Sequence, residues 1–101
     1  MRSAPNAQAR IFQEWFGVSP AAGRLVAELY AADGAVVSFQ VLGTASCQTH
    51  NGLSLSLKHL RAAMEPGAIM AVRGRGYWLA EVGFDDCRRA LADAAARGMA
   101  A

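Results

Sequence analysis

The sequence predicts a mostly α-helical domain carrying one small β-hairpin. Three observations carry that expectation. Apolar residues recur at helical spacing along most of the chain, with frequent alanines between them. Caps and breakers stand where those stripes begin and end. One stretch, Ile69 to Leu79, instead reads as two β-prone runs around "RGRG". The 101 residues suit a single domain, 1–101, and the 53% apolar and 18% charged fractions fit a globular protein and argue against disorder.

The elements follow in order. In "PNAQARIFQEWF" (5–16), Ile11, Phe12, Trp15 and Phe16 share one helix face, and Gly17 is the stop. In "SPAAGRLVAELYAADG", Ser19 is an N-cap and Pro20 sits in the first turn, where proline is tolerated. Leu25, Val26, Leu29 and Tyr30 form its stripe, and Asp33-Gly34 ends it. "AVV" (35–37) is a short β-prone piece. Ser38 then caps a short third helix holding Phe39, Val41 and Leu42, and Gly43 to Gly52 reads as a polar connection within which a helical start as early as Ser46 or as late as Asn51 stays open.

"LSLSLKHLRAAMEPG" begins with a strand-like alternation, but its continuation decides for a helix. Leu53, Leu57, Leu60 and Met64 stand at i, i+4, i+7 and i+11, and Pro66-Gly67 breaks the run. The expected helix covers about 52–65. The hairpin follows, with Ile69–Val72 and Tyr77–Leu79 around the tip Arg73-Gly74-Arg75-Gly76. In "FDDCRRALADAAARG", Phe84, Cys87 and Leu91 share a face. Asp85 and Asp86 are expected in its first turn and Arg97 in its last, the arrangement the helix dipole favours.

Charge is unevenly spread. Residues 1–43 balance, whereas residues 44–80 carry Lys58, Arg61, Arg73 and Arg75 against Glu65 alone, a local net of +3. A local basic patch suits a polyanion. Cys47 and Cys87 are too far apart for a zinc framework. They read as two thiols of a reducing cytoplasm, with a disulfide as the alternative. "MRSAPNAQAR" lacks the apolar core of a secretory signal, and residues 35–57, though uncharged, are too often interrupted by polar side chains for a membrane span. The expectation is a cytoplasmic protein with no membrane partner.

Catalytic and cofactor readings find no framework. "GRGYWL" lacks a third glycine and a following helix, so it is not a dinucleotide cradle. Cys47 and His50 are three residues apart, yet a loop thiol beside a surface histidine explains them. Asp85-Asp86 is explained as a helix start rather than a metal site. The expectation is no enzyme, no metal and no cofactor.

The order of elements does suit a winged helix-turn-helix, with extra helices at 5–16 and 84–97 around a core of 19–79. In that layout helix 52–65 enters the major groove, and hairpin 69–79 touches the minor groove or the backbone. Small polar side chains beside two fixed cations can approach base edges closely.

The residues also resemble a family, the winged-helix effector domains of OmpR/PhoB-type response regulators. "DGAVVS" (33–38) is similar to the family's turn, strand and cap. "LSLSLKHLRAAM" (53–64) resembles its recognition helix, V-D-V-H-I-x-R-L-R-x-K-L. "IMAVRGRGYWL" (69–79) resembles its wing, I-x-T-V-R-G-x-G-Y-x-L. The resemblance implies that Arg73 enters the minor groove. It implies that Ser56, Lys58, His59 and Arg61 face bases or phosphates, and that Leu55 lies near base methyls. Ser54 joins them on the outward face, and Arg75 is a looser backbone contact. The departures are a helix in place of the family's N-terminal sheet, no receiver domain, His59 and Ala63 at usually basic positions, and an extra last helix.

The expected partner is therefore double-stranded DNA, bound sequence-specifically by a small transcriptional regulator. Contact with the transcription machinery and a homodimer through the two flanking helices are further expectations. The rival is a winged-helix protein-interaction module that does not bind DNA.

Overall fold

A computed structural model describes residues 4–98 and places five helices and three short strands among them. In chain order these are α1 (Ala4–Phe16), α2 (Pro20–Ala31), β1 (Val37–Ser38), α3 (Phe39–Ser46), α4 (His50–Ala63), β2 (Ile69–Val72), β3 (Gly76–Leu79) and α5 (Glu81–Ala96). The chain is thus mostly helical with a small antiparallel sheet, as expected. Arg2, counted in the charge balance, lies outside the described residues.

The helix starts are where the cap residues put them. Ser19 accepts the amide hydrogen of Ala22 at 3.1 Å with Pro20 following, and Ser38 does the same for Val41 at 3.1 Å. α1 ends at Gly17, whose φ is +67°. The exit from α2 places Asp33 at φ +55° and Gly34 at φ +91°.

Three boundaries differ from expectation. The third helix runs on to Ser46 instead of opening into a loop after Leu42. Gly43, Thr44 and Ser46 look like loop residues, but Ser46 is buried and returns its hydroxyl hydrogen to the Leu42 carbonyl at 2.7 Å. Only Cys47 to Thr49 separates α3 from α4, with Cys47 turning the chain in the left-handed region at φ +58°. α4 begins and ends two residues earlier than the expected 52–65, because Thr49 supplies the cap. α5 begins at Glu81, so Asp85 and Asp86 lie in its second turn rather than its first.

The core lies between the helices and the inner side of the sheet. Phe12, Leu25, Leu29, Leu42, Leu53, Leu60 and Leu79 are fully buried. α1 and α2 meet backbone to backbone at Gly23, where an added Cβ would stand 2.5 Å from the Ala9 carbonyl oxygen. α1 and α5 pack on each other, and Tyr30 of α2 bridges them, its ring centroid 5.6 Å from Phe12 and 5.5 Å from Phe84. Trp15 lies outside this packing and is 42% exposed, although its spacing matches Ile11 and Phe12.

The sheet has the order β1-β3-β2, with all neighbours antiparallel. Ile69 faces Leu79 and Val72 faces Gly76, and an Ala80 amide to Ala68 carbonyl bond of 2.8 Å extends the ladder. On the other side Val37 faces Tyr77 and Ser38 faces Gly76. Gly76 has φ +154°, and a Cβ there would stand 2.0 Å from the Val37 carbonyl oxygen. Only glycine lets the two strands approach this closely.

Candidate nucleic-acid interface

α4 has one buried side and one open side. Leu53, Leu57 and Leu60 point inward, and Met64 just past the helix end is buried with them. Ser54, Leu55, Lys58, His59 and Arg61 are exposed, as the apolar period requires. Leu55 is 53% exposed, an unusual setting for a leucine among polar neighbours.

Ser56 does not belong to that open face. It is 4% exposed, and its hydroxyl oxygen accepts from the Gln48 side-chain amide at 2.7 Å. The same amide donates to the Gly52 carbonyl at 2.9 Å. Ser56 stands three residues after Leu53 and four before Leu60, so it falls inside the apolar stripe. Its role is to hold Gln48 and the short α3–α4 connection against the first turns of α4.

Arg61 is exposed but committed to the protein. Its guanidinium donates to the Ile69 carbonyl at 3.2 Å and lies 5.5 Å from the centroid of the Tyr77 ring. It therefore ties the second half of α4 to the first residue of β2 and to β3.

The hairpin tip is a three-residue reversal, Arg73-Gly74-Arg75, closed by the Arg75 amide donating to the Val72 carbonyl at 2.9 Å. Gly76, expected in the tip, is the first residue of β3. Arg73 and Arg75 are both exposed. They line an open cleft of about 490 Å³ that also takes in Ser54 and His50 of α4 and Phe39 of α3. The tip arginines and the first half of α4 thus border one space.

The electrostatic pattern separates this region from the rest. Arg10 lies beside Glu14, Arg88 beside Asp85, Arg89 beside Asp86 and Arg97 beside Asp93, each pair within a single helix or at its end. Lys58, Arg73 and Arg75 form no ion pair among the described residues.

One positioning residue carried no signal in the sequence. The Asp86 carboxylate is almost fully buried and accepts the Glu65 amide hydrogen at 2.8 Å while pairing with Arg89. It thereby fastens the link between α4 and β2 to α5. Its partner is a backbone group 21 residues away, which no local spacing can announce.

The cysteines are free, Cys47 exposed at the α3–α4 turn and Cys87 buried in α5. Burial, together with the neighbouring Asp86 charge and against the opposing pull of Arg88, pushes the Cys87 thiol up to about 12. Among the described residues no three His, Cys, Asp or Glu side chains gather as a metal site, and no helix is long and apolar enough to cross a membrane. No protein-family model, curated protein or solved structure matches the chain.

Proposed function

We propose that the chain is a winged helix-turn-helix of the OmpR/PhoB type that binds double-stranded DNA sequence-specifically, as a small transcriptional regulator. α4 is the recognition helix in the major groove, and the β2–β3 hairpin is the wing. The observation that carries this reading is the contrast in charge. Lys58, Arg73 and Arg75 face solvent without carboxylate partners among the described residues, whereas the arginines of α1 and α5 are neutralised in place. Unpaired cations beside an open helix face suit phosphates flanking a groove.

The roles divide by position. Ser54, Leu55 and Lys58 of α4 approach the bases, with Leu55 suited to a thymine methyl and Lys58 to guanine or phosphate. His59 borders the backbone. Arg73 enters the minor groove and Arg75 contacts the adjacent phosphates. Arg61 acts through the wing that it braces. A homodimer through α1 and α5 would cover the exposed Trp15 and Val82. Sedimentation that finds only monomer at high concentration removes the dimer. Contact with the transcription machinery remains part of the same proposal.

The test is anisotropy of a labelled duplex pool at two salt concentrations, followed by selection of bound sites from random DNA. Affinity is expected to fall steeply as salt rises, with a log–log slope of about −0.9 per phosphate contacted. Absence of binding to every duplex would sink the reading. A second reading is a winged-helix protein-interaction module without DNA binding, in which the exposed Leu55 would meet the partner. That reading expects no salt-dependent duplex binding and a Leu55→Ser variant that loses a protein partner.

A further inference from the structure

The cleft between α4 and the hairpin has a chemistry of its own. Its volume is about 490 Å³, within the size range of small-molecule sites. Three rings gather at it. Phe39 lies 4.7 Å from His50 and 5.9 Å from Tyr77, centroid to centroid, and all three residues line the space. Arg73 and Arg75 line it as well, and so does Ser54. No carboxylate is among the lining residues. Rings offer stacking surface to a planar group. Paired guanidinium groups offer fork-shaped donors to a phosphate. The two are joined in one open cavity and are supplied by three different elements.

We propose that this cleft binds a free nucleoside monophosphate, its base against the Phe39–His50–Tyr77 rings and its phosphate on Arg73 and Arg75. A bound nucleotide occupies the tip arginines and so competes with DNA. Only that competition rests on the DNA reading above, since the cleft and its lining do not depend on it. Ser54 lines the same cleft and offers a hydroxyl to the ribose. The chain would then read a nucleotide pool through the same arginines that hold it on DNA.

The test uses the full chain without DNA. Adenosine monophosphate is titrated against isotope-labelled protein, with adenosine and inorganic phosphate as separate arms. Saturable shifts at Phe39, His50, Tyr77 and the two arginines are expected with the monophosphate, and much weaker ones with either half. Arg75→Gln, at the exposed tip, and His50→Ala should each weaken binding about tenfold, equal to about 1.4 kcal/mol, while circular dichroism stays unchanged. No saturable shift by about 10 mM overturns the proposal, because affinity weaker than that leaves too little free energy for a built site. Equal shifts with inorganic phosphate alone overturn it too, since the rings would then contribute nothing. A final arm adds the monophosphate to a protein–duplex complex. Displacement supports the competition, and a saturated cleft with undisturbed duplex overturns it. Nucleotide binding in a chain that binds no duplex would retain this site and remove the DNA reading instead.

Discussion

α5 and the α4–hairpin region carry similar numbers of cations and use them in opposite ways. On α5, Arg88, Arg89 and Arg97 each stand beside an aspartate three or four residues earlier. On α4 and the hairpin, Lys58, Arg73 and Arg75 stand alone among the described residues, and Arg61 rests on a carbonyl and a ring. Pairing within a helix cancels the far field and leaves a neutral surface. Unpaired cations keep that field available to a polyanion. The difference teaches that net charge, +2 for the whole chain, is less informative than where carboxylates are withheld.

The comparison breaks most visibly at the tip. Reversing both charges in an Arg73→Glu, Arg75→Glu variant should lower duplex affinity at least about a hundredfold, because in the proposed complex a minor-groove contact and a phosphate contact both become repulsions. Titration of one labelled duplex at fixed salt checks this, with circular dichroism to show an unchanged fold. On the other side, Asp86→Ala should cost about 2–3 kcal/mol of stability in urea unfolding, because the Glu65 amide loses a buried charged acceptor. Arg61→Ala should cost about 1 kcal/mol, the worth of one hydrogen bond and a partly exposed cation–ring contact. Arg88→Ala and Arg97→Ala sharpen the contrast from below. Each should change stability by less than about 0.5 kcal/mol and leave duplex affinity unaltered. A large affinity loss in either would mean that α5 also faces the polyanion.

The two thiols give a separate check on the same division between open and packed regions. A chromogenic disulfide reagent at neutral pH should label Cys47 in the native protein and Cys87 only after unfolding. The folded state holds the Cys87 proton up to about 12, against an ordinary value of 9.0. Its contribution to stability is therefore full below about pH 9 and is lost as pH rises from there towards 12. Unfolding midpoints measured across that window should fall in the native protein and stay flatter in Cys87→Ala.

Much of the architecture was legible because local signals and tertiary packing agree. Ser19, Ser38, Gly17 and Gly34 punctuate the helices where the sequence puts them, and Leu53, Leu57 and Leu60 define the inner side of α4. The misses have physical causes. Thr44 and Ser46 read as loop, yet α3 continues because Ser46 satisfies itself inside the helix and Arg24 donates to its carbonyl at 3.1 Å. The expected last helix starts at Phe84, yet α5 begins at Glu81 and takes in Gly83, where a Cβ would meet the Leu79 side chain and the Ala68 carbonyl. Ser56 reads as an open-face residue both beside the Leu53–Leu57–Leu60 stripe and from the family resemblance, yet it is buried, three residues after Leu53 and four before Leu60. The exposure of Ser54, Leu55, Lys58, His59, Arg73 and Arg75 could be read from period and turn chemistry. The braces beneath them, Gln48, Arg61 and Asp86, act through backbone groups and are silent in the sequence.

Ser38 holds two posts at once. It pairs with Gly76 in the sheet, and its side chain caps α3. The cross-strand contact and the start of the α3–α4 segment therefore share one residue. A slip of the hairpin by one position would bring a side chain against β1 and disturb α3 together. The distance from α4 to the arginine tip is accordingly a fixed gauge rather than an adjustable reach. In the proposed complex with DNA, such a gauge would suit one spacing between groove and backbone. Positions 38 and 76 should also be unable to drift independently, so that a tolerated change at one requires an answering change at the other.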